Sequence, residues 1–286
     1  MKSESTHERP YLNFAVYRFW DNERPLEEMR SLYLEKAKSL DLKGTVLLSP
    51  EGVNAFLSGK DASVRQFQAF MSQDLGFQDL WFKESRSRSC IFRRMLVRIK
   101  KEIIPIDPKT QPVKPHREPA PELAPEALKK WLDEKQELLI LDTRNDYEVS
   151  LGTFENAHHL NIKVFREFDK KLNSIPETWK EKPVVMFCTG GIRCEKAAPL
   201  MQRKGFKNVY QLEGGILNYF EKVGGAHWKG DCFVFDRRVA VNPDLEETKT
   251  AVCFNCRSVV TLEEQRQKEY VIDHSCPHCY RRQPPK

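Results

Sequence analysis

Between Pro105 and Pro121 the chain places six prolines, at 105, 108, 112, 115, 119 and 121. Each fixes φ and lacks an amide N–H, so the run can continue neither a helix nor a sheet. An extended linker is predicted over residues 105–121, and it divides the 286-residue chain into separate folding units. Either side is long enough to bury a core of its own. With 40% hydrophobic and 31% charged residues, the composition is that of a globular chain and not a disordered one.

Before the linker, residues 1–104 alternate between two periodicities. Tyr11 to Phe19 alternates apolar with polar, a strand pattern. After Pro25, Leu26, Met29, Tyr33, Ala37 and Leu40 recur at helical spacing. Gly44–Leu48 and Val53–Leu57 read as strands joined by the turn Ser49-Pro50-Glu51-Gly52. Asp61 is suited to N-cap a second helix with Val64, Phe67, Phe70 and Met71 inward. Strands are predicted near Leu80–Lys83 and Ile91–Lys100. The order βαββαβ, with one extra strand, predicts a ferredoxin-like α+β domain.

After the linker, strands at Leu138–Leu141, His158–Leu160, Val184–Phe187 and Val209–Gln211 alternate with helical segments. This predicts a parallel α/β sheet over residues 122–227. A third region, 228–286, has too few apolar residues for a large independent core.

Val184-Val185-Met186-Phe187 is wholly apolar, as a buried parallel strand is, and delivers Cys188 to the C-terminal edge of the sheet. In Cys188-Thr189-Gly190-Gly191-Ile192-Arg193, two glycines let the backbone curl with its N–H groups inward. A helix from about Arg193 to Lys204 adds the positive end of its dipole. Amides and a guanidinium around one sulfur stabilise a thiolate, a persulfide or another bound anion. Cys194, in the first turn of that helix, is either a resolving cysteine for an oxidised Cys188 or a packing residue. Cys90 and Cys232 read as packing residues.

Cys253-Phe254-Asn255-Cys256 and Cys276-Pro277-His278-Cys279 are two CxxC knuckles 19 residues apart. Four thiolates so spaced can close a tetrahedral zinc site, with no open position for catalysis. The small core of this tail gives it a need for such a crosslink; the alternative is four free thiols. No stretch approaches the roughly 20 apolar residues that span a bilayer, and the polar N-terminus is unlike a secretory signal. A cytoplasmic location, in a reducing compartment, is therefore expected, with no membrane partner.

Residues 122–225 resemble the rhodanese family. Leu141-Asp142-Thr143-Arg144-Asn145-Asp146-Tyr147-Glu148 is similar to its strand-end motif, Gly152 to His158 to its next stretch, and Leu212-Glu213-Gly214-Gly215-Ile216 to its final glycine pair. Four residues separate Cys188 from Arg193, the rhodanese spacing, whereas cysteine phosphatases place five there; phosphatase activity is not expected. Asp142 and Arg144 are expected to orient the loop through an ion pair or backbone bonds. A degenerate module whose loop only binds a partner is the alternative.

Between Lys83 and Lys101 eight basic residues face a single acid, Glu84. If part of this set shares one strand face it can grip phosphates, with Arg93, Arg94 and Arg98 the foremost candidates for contact with a polyanion. A charged, solvated edge strand is the competing explanation.

The order of these parts, with Ser49-Pro50-Glu51-Gly52-Val53-Asn54-Ala55, Cys188 to Lys196 and Gly230-Asp231-Cys232-Phe233-Val234-Phe235-Asp236, resembles the bacterial oxygen-dependent tRNA wobble-uridine hydroxylases over nearly the whole chain. That resemblance implies tRNA as partner and conversion of the wobble uridine to 5-hydroxyuridine. It also implies dioxygen as co-substrate, an unidentified electron donor, and Cys188 as the catalytic cysteine, working through a persulfide or an oxidised sulfur. No flavin, haem or iron-ligand motif is visible, so the sequence does not specify how oxygen is activated. A thiosulfate or persulfide sulfurtransferase and a non-catalytic RNA-binding scaffold are the alternative readings.

Overall fold

The computed structural model describes residues 9–253, 255–256, 258–272 and 274–280. Two compact units emerge. One runs to Pro105 and takes in Lys114–Arg117; the other comprises Ile106–Val113 and the described residues from Glu118 onward.

The first unit follows the order β1 (Tyr11–Phe19), α1 (Leu26–Ser39), β2 (Lys43–Ser49), β3 (Gly52–Lys60), α2 (Asp61–Leu75), β4 (Lys83–Ser87) and β5 (Met95–Ile99). The strands form one sheet in the order β4-β1-β3-β2-β5, antiparallel except where β5 joins β2 in parallel. Alternation decides what is buried. Leu12, Phe14 and Val16 of β1, Val46 and Leu48 of β2, and Val53, Ala55 and Leu57 of β3 enter one core with Met29, Tyr33 and Ala37 of α1 and Val64, Phe67 and Met71 of α2. Phe70 is only half-buried against that core. The β2–β3 hairpin turns at Pro50-Glu51, and Gly52 (φ +146°) is required there because a Cβ would lie 2.1 Å from the Arg18 carbonyl oxygen.

Three local expectations shift. Asp61 is the first residue of α2 and Lys60 its N-cap; the Asp61 carboxylate instead pairs with Arg65 and Arg86. The fourth and fifth strands are Lys83–Ser87 and Met95–Ile99. Because these lie at opposite edges of the sheet, the basic stretch between Lys83 and Lys101 is divided between the two edges and does not lie on one strand.

Through residues 101–121 there is neither helix nor strand. The run is nonetheless fixed by side chains. In the first unit, Lys114 and Arg117 pair with Asp21. In the second, Ile106 and Val113 are buried, and Arg203 donates to the Gln111 and Pro112 carbonyls.

The second unit is built on a parallel sheet. In chain order come β6 (Glu122–Leu123), α3 (Pro125–Asp133), β7 (Leu139–Asp142), α4 (Asp146–Val149), β8 (Gly152–Phe154), β9 (His158–His159), α5 (Phe168–Lys171) and β10 (Pro183–Phe187), then α6 (Ile192–Arg203), β11 (Asn208–Leu212) and α7 (Gly215–Val223). The sheet order is β6-β11-β10-β7-β9, all parallel. β10 is central, which is why Val184–Phe187 reads as an unbroken apolar run.

Short pairs follow: β12 (Trp228–Gly230) on β8, then β13 (Cys232–Phe233) with β14 (Ala240–Val241), and β15 (Ala251–Val252) with β16 (Val259–Val260). Trp228, Cys232, Val234 and Val241 enter the same core as Ile140, Phe187, Ile216, Tyr219 and Phe220. Residues 228–241 are thus packed as part of the sheet unit, while the cysteine knuckles form a separate small cluster.

Candidate active site

Cys188 follows β10 directly and has no exposed surface. Its loop turns at Gly191 (φ +97°), which brings the Gly191 N–H to 3.1 Å from Cys188 Sγ. The outer side of the loop is held by the start of α7. The amides of Ile216 and Leu217 donate to the carbonyls of Cys188 and Thr189, at 3.0 and 3.2 Å. Gly215 (φ +71°) permits this approach, since a Cβ there would lie 2.4 Å from the Cys188 carbonyl oxygen.

Burial alone raises a thiol pKa. At Cys188 that effect is outweighed: the Cys194 thiol donates to its sulfur, the Arg193 guanidinium lies close, and the Arg193 and Gly190 amides donate too, holding Cys188 well below the ordinary thiol range. Cys194 is pushed the other way by burial and by the neighbouring Cys188, so it keeps its proton and acts as donor. The structure thus brings Gly190, Gly191, Arg193 and Cys194 around the Cys188 sulfur as a cradle, while Thr189 and Ile192 belong to the same loop without a contact to that sulfur among the described residues.

Arg193 is almost fully buried and forms a two-pronged pair with Glu148, Nη1 to Oε2 at 2.6 Å and Nη2 to Oε1 at 2.8 Å. The Thr189 hydroxyl lies 3.4 Å from Glu148 Oε1 and 3.5 Å from the Phe233 carbonyl oxygen. Glu148 is the residue that sequence reasoning passed over. Its signal was present: Asn145 is followed three residues later by an acid, and Glu148 Oε2 accepts from the Asn145 amide at 3.1 Å. The further demand, that an arginine buried beside a thiolate needs a carboxylate partner, comes from physics and not from spacing.

Asp142 and Arg144 do form a buried ion pair, Nε to Oδ1 at 2.9 Å and Nη2 to Oδ2 at 2.7 Å. The pair braces β8 rather than touching the Cys188 loop. Arg144 Nη2 donates to the Gly152 carbonyl at 2.6 Å, and Asp142 Oδ2 accepts from the Thr153 hydroxyl at 2.8 Å. The guanidinium also faces the rings of Trp228 and Phe187, at 5.2 and 5.7 Å. Thr143, between the two, reaches the loop: its hydroxyl donates to the Phe187 carbonyl at 2.9 Å and lies 3.8 Å from Cys194 Sγ.

Away from this cradle, the sulfurs of Cys253, Cys256, Cys276 and Cys279 all lie within 4.8 Å of one another. The sulfur pairs 253–279, 256–276 and 276–279 are 3.9, 3.5 and 3.9 Å apart. Thiolates about 2.3 Å from one tetrahedral ion would sit about 3.8 Å apart, so the four cysteines can hold a metal ion. Arg93, Arg94 and Arg98 are exposed at the β5 edge of the first unit and carry no ion pair among the described residues. Cys90 is half-buried, with Sγ 3.9 Å from the Ser58 carbonyl oxygen; Cys232 is fully buried, and burial raises its thiol to about 12.

One consequence is measurable at Cys188. An ordinary thiol loses most of its thiolate between about pH 9 and about pH 7. Cys188, lowered well below that range, should be alkylated by iodoacetamide at a nearly constant rate across it, falling off only at lower pH. Cys194→Ala removes one donor, so the midpoint should move up while staying below an ordinary thiol's. Mass-spectrometric alkylation rates at Cys188 check both; an unmoved midpoint would deny Cys194 that role.

Comparison with known proteins agrees with the geometry. Residues 11–103 match the family model described as a UPF0176 acylphosphatase like domain, and residues 124–222 match the rhodanese-like domain. The chain is similar to proteins named tRNA uridine(34) hydroxylase from Cupriavidus pinatubonensis (49% identical), Burkholderia cenocepacia (47%) and Ralstonia nicotianae (46%). In each case 94% of this chain and 96% of the relative are covered. At that identity and coverage, with both domains and the thiolate cradle in place, the chain belongs to the tRNA uridine(34) hydroxylase family.

Proposed function

We propose that this chain hydroxylates the wobble uridine of tRNA to 5-hydroxyuridine, with Cys188 as the catalytic cysteine. The observation that carries this reading is the 46–49% identity to tRNA uridine(34) hydroxylases over 94% of the chain. Replacing C5–H by C5–OH removes two electrons from the base. With dioxygen as oxidant, one oxygen atom enters the base and the other leaves as water, which takes up two further electrons and two protons from a donor. Dioxygen and an external reductant therefore belong to the proposal as co-substrates.

The chain's own contribution is a nucleophile kept ready. The thiolate of Cys188 is held by the Gly191 amide, the Cys194 thiol and the Arg193 guanidinium. Such a cradle accommodates a sulfur-bound anion as well as the thiolate itself. That same feature favours a second reading, transfer of sulfur through a Cys188 persulfide. Analysis of tRNA nucleosides from a deletion strain separates the two: loss of 5-hydroxyuridine-derived species supports hydroxylation, and loss of thiolated species supports sulfur transfer.

The substrate is a polyanion, and Arg93, Arg94 and Arg98, exposed at the β5 edge without an ion pair among the described residues, are the proposed tRNA contacts. Zinc is the proposed occupant of the four-cysteine site, where it would crosslink two knuckles without taking part in the reaction. No helix among the described residues is long and apolar enough to cross a membrane; a cytoplasmic location is proposed because tRNA is found there.

Three outcomes are expected. Cys188→Ser nearly preserves the side-chain volume but not the sulfur chemistry, so it should keep the fold and abolish 5-hydroxyuridine formation; near-wild-type modification would overturn the assignment. Full-length protein purified under reducing conditions should hold one equivalent of zinc by metal analysis, and Cys276→Ser should lose it. Replacing Arg93, Arg94 and Arg98 together with glutamine should weaken tRNA binding and flatten its salt dependence, because fewer counterions are released. Unchanged affinity and slope would make the β5 edge only a solvated surface.

A further inference from the structure

Cys188 has no exposed surface, so an incoming substrate first meets the residues around its loop. One of these is conspicuous. Phe235 is 50% exposed, although Cys232 and Val234 just before it pack into the sheet core. Alternation turns Phe235 outward. The ring is not free to swing. It packs edge-on against Phe233 at 5.1 Å, and Phe233 packs edge-on against Tyr147 at 5.2 Å.

Phe235 is also tied to the cradle. The Arg193 guanidinium lies 5.7 Å from the ring centroid, and the backbone carbonyl of Phe233 lies 3.5 Å from the Thr189 hydroxyl. The turn that presents the ring is braced. Arg238 grips Asp236 through Nε to Oδ1 at 2.9 Å and Nη2 to Oδ2 at 2.6 Å, and Val234 donates to the Val239 carbonyl at 2.8 Å. Val239 adopts φ +64°, a conformation a β-branched residue takes only at a cost. At the tip of the turn, Arg237 is exposed and has no ion pair among the described residues.

We propose that Phe235 is a stacking platform for a substrate nucleobase at the Cys188 loop, with Arg237 placed for an adjoining phosphate. An aromatic face held rigid and half in water is suited to stack an unpaired base, and stacking needs no particular base edge. A cation beside it supplies the sequence-independent contact that fixes the backbone. The platform rests on the reading above, in which the substrate is an RNA whose uridine must leave its stack to reach the sulfur.

The test is a double-mutant cycle on binding, read without turnover. Wild-type and Phe235→Leu full-length proteins are titrated with an anticodon stem–loop RNA and with the same RNA carrying an abasic wobble position. Phe235→Leu should weaken binding of the intact RNA by about five- to a hundredfold, the range of one base–aromatic stack. The abasic RNA should bind wild type about as weakly, and combining the two changes should cost little more. Phe235→Tyr, which keeps the ring, should restore the affinity. If the abasic change weakens Phe235→Leu as much as it weakens wild type, the ring does not stack on that base and the inference falls. Failure of the hydroxylase reading itself would appear elsewhere, as tRNA modification surviving Cys188→Ser.

Discussion

Two arginines and two carboxylates are buried around the Cys188 strand and loop, and the site depends on how they are paired. Arg193 is held by Glu148, and Arg144 by Asp142, all at or near zero exposure. Removing one member of such a pair leaves a buried charge uncompensated, a cost of about 3–5 kcal/mol. Adding the Cys188 thiolate leaves one net negative charge in the cluster, and the amides around the sulfur together with the N-terminus of α6 offset it. Glu148 also limits what Arg193 does. A guanidinium bound only to the thiolate would make a stable but sluggish sulfur, because nucleophilicity falls as thiol pKa falls. Shared with Glu148, the same cation stabilises the thiolate with less than its full strength.

Much of this was legible in the sequence, for identifiable reasons. A wholly apolar strand ending in Cys-x-Gly-Gly-x-Arg is a local signal, and both Cys188 and the N-terminus of α6 follow from it. The two CxxC knuckles are equally local, and their sulfurs do meet. What depended on long-range pairing was harder to read. Nothing in residues 83–101 says that β4 joins β1 while β5 joins β2, yet that pairing sends Arg86 and Arg98 to opposite edges of the sheet. Glu148 escaped because its partner lies 45 residues away. Phe235 escaped because an exposed phenylalanine has no periodicity of its own; its meaning comes from Arg193 and Phe233 beside it.

The C-terminal region divides by the same logic of burial. Residues 228–241 have apolar side chains enough to join a core that already exists, and they do so through Trp228, Cys232, Val234 and Val241. The knuckle cluster has little else to bury. Its fully packed members are Cys253, Val260, Cys276 and Cys279, with Cys256 and Tyr270 at the margin. Most of that core is ligand sulfur, so the free energy of ion binding would have to serve in place of apolar area.

Precision at Cys188 comes from the residue before it. Phe187 meets Phe154 edge-on at 5.0 Å, and Phe154 in turn meets Tyr219 at 4.8 Å and Trp228 at 5.2 Å. One ring thus couples β8, β10, α7 and β12, and each such aromatic pair adds about 0.5–1.5 kcal/mol beyond the area it buries. The strand that delivers the sulfur is clamped from one side by these rings, and the loop that follows is clamped by the amides of Ile216 and Leu217. Sites on rigid elements hold their geometry better than sites on loops. The Phe235 turn is anchored differently, through a two-residue strand pair, one ion pair and two edge-on ring contacts. That turn therefore holds the Phe235 ring beside the enclosed sulfur through side-chain contacts, where the sulfur itself is held by the sheet and by backbone amides.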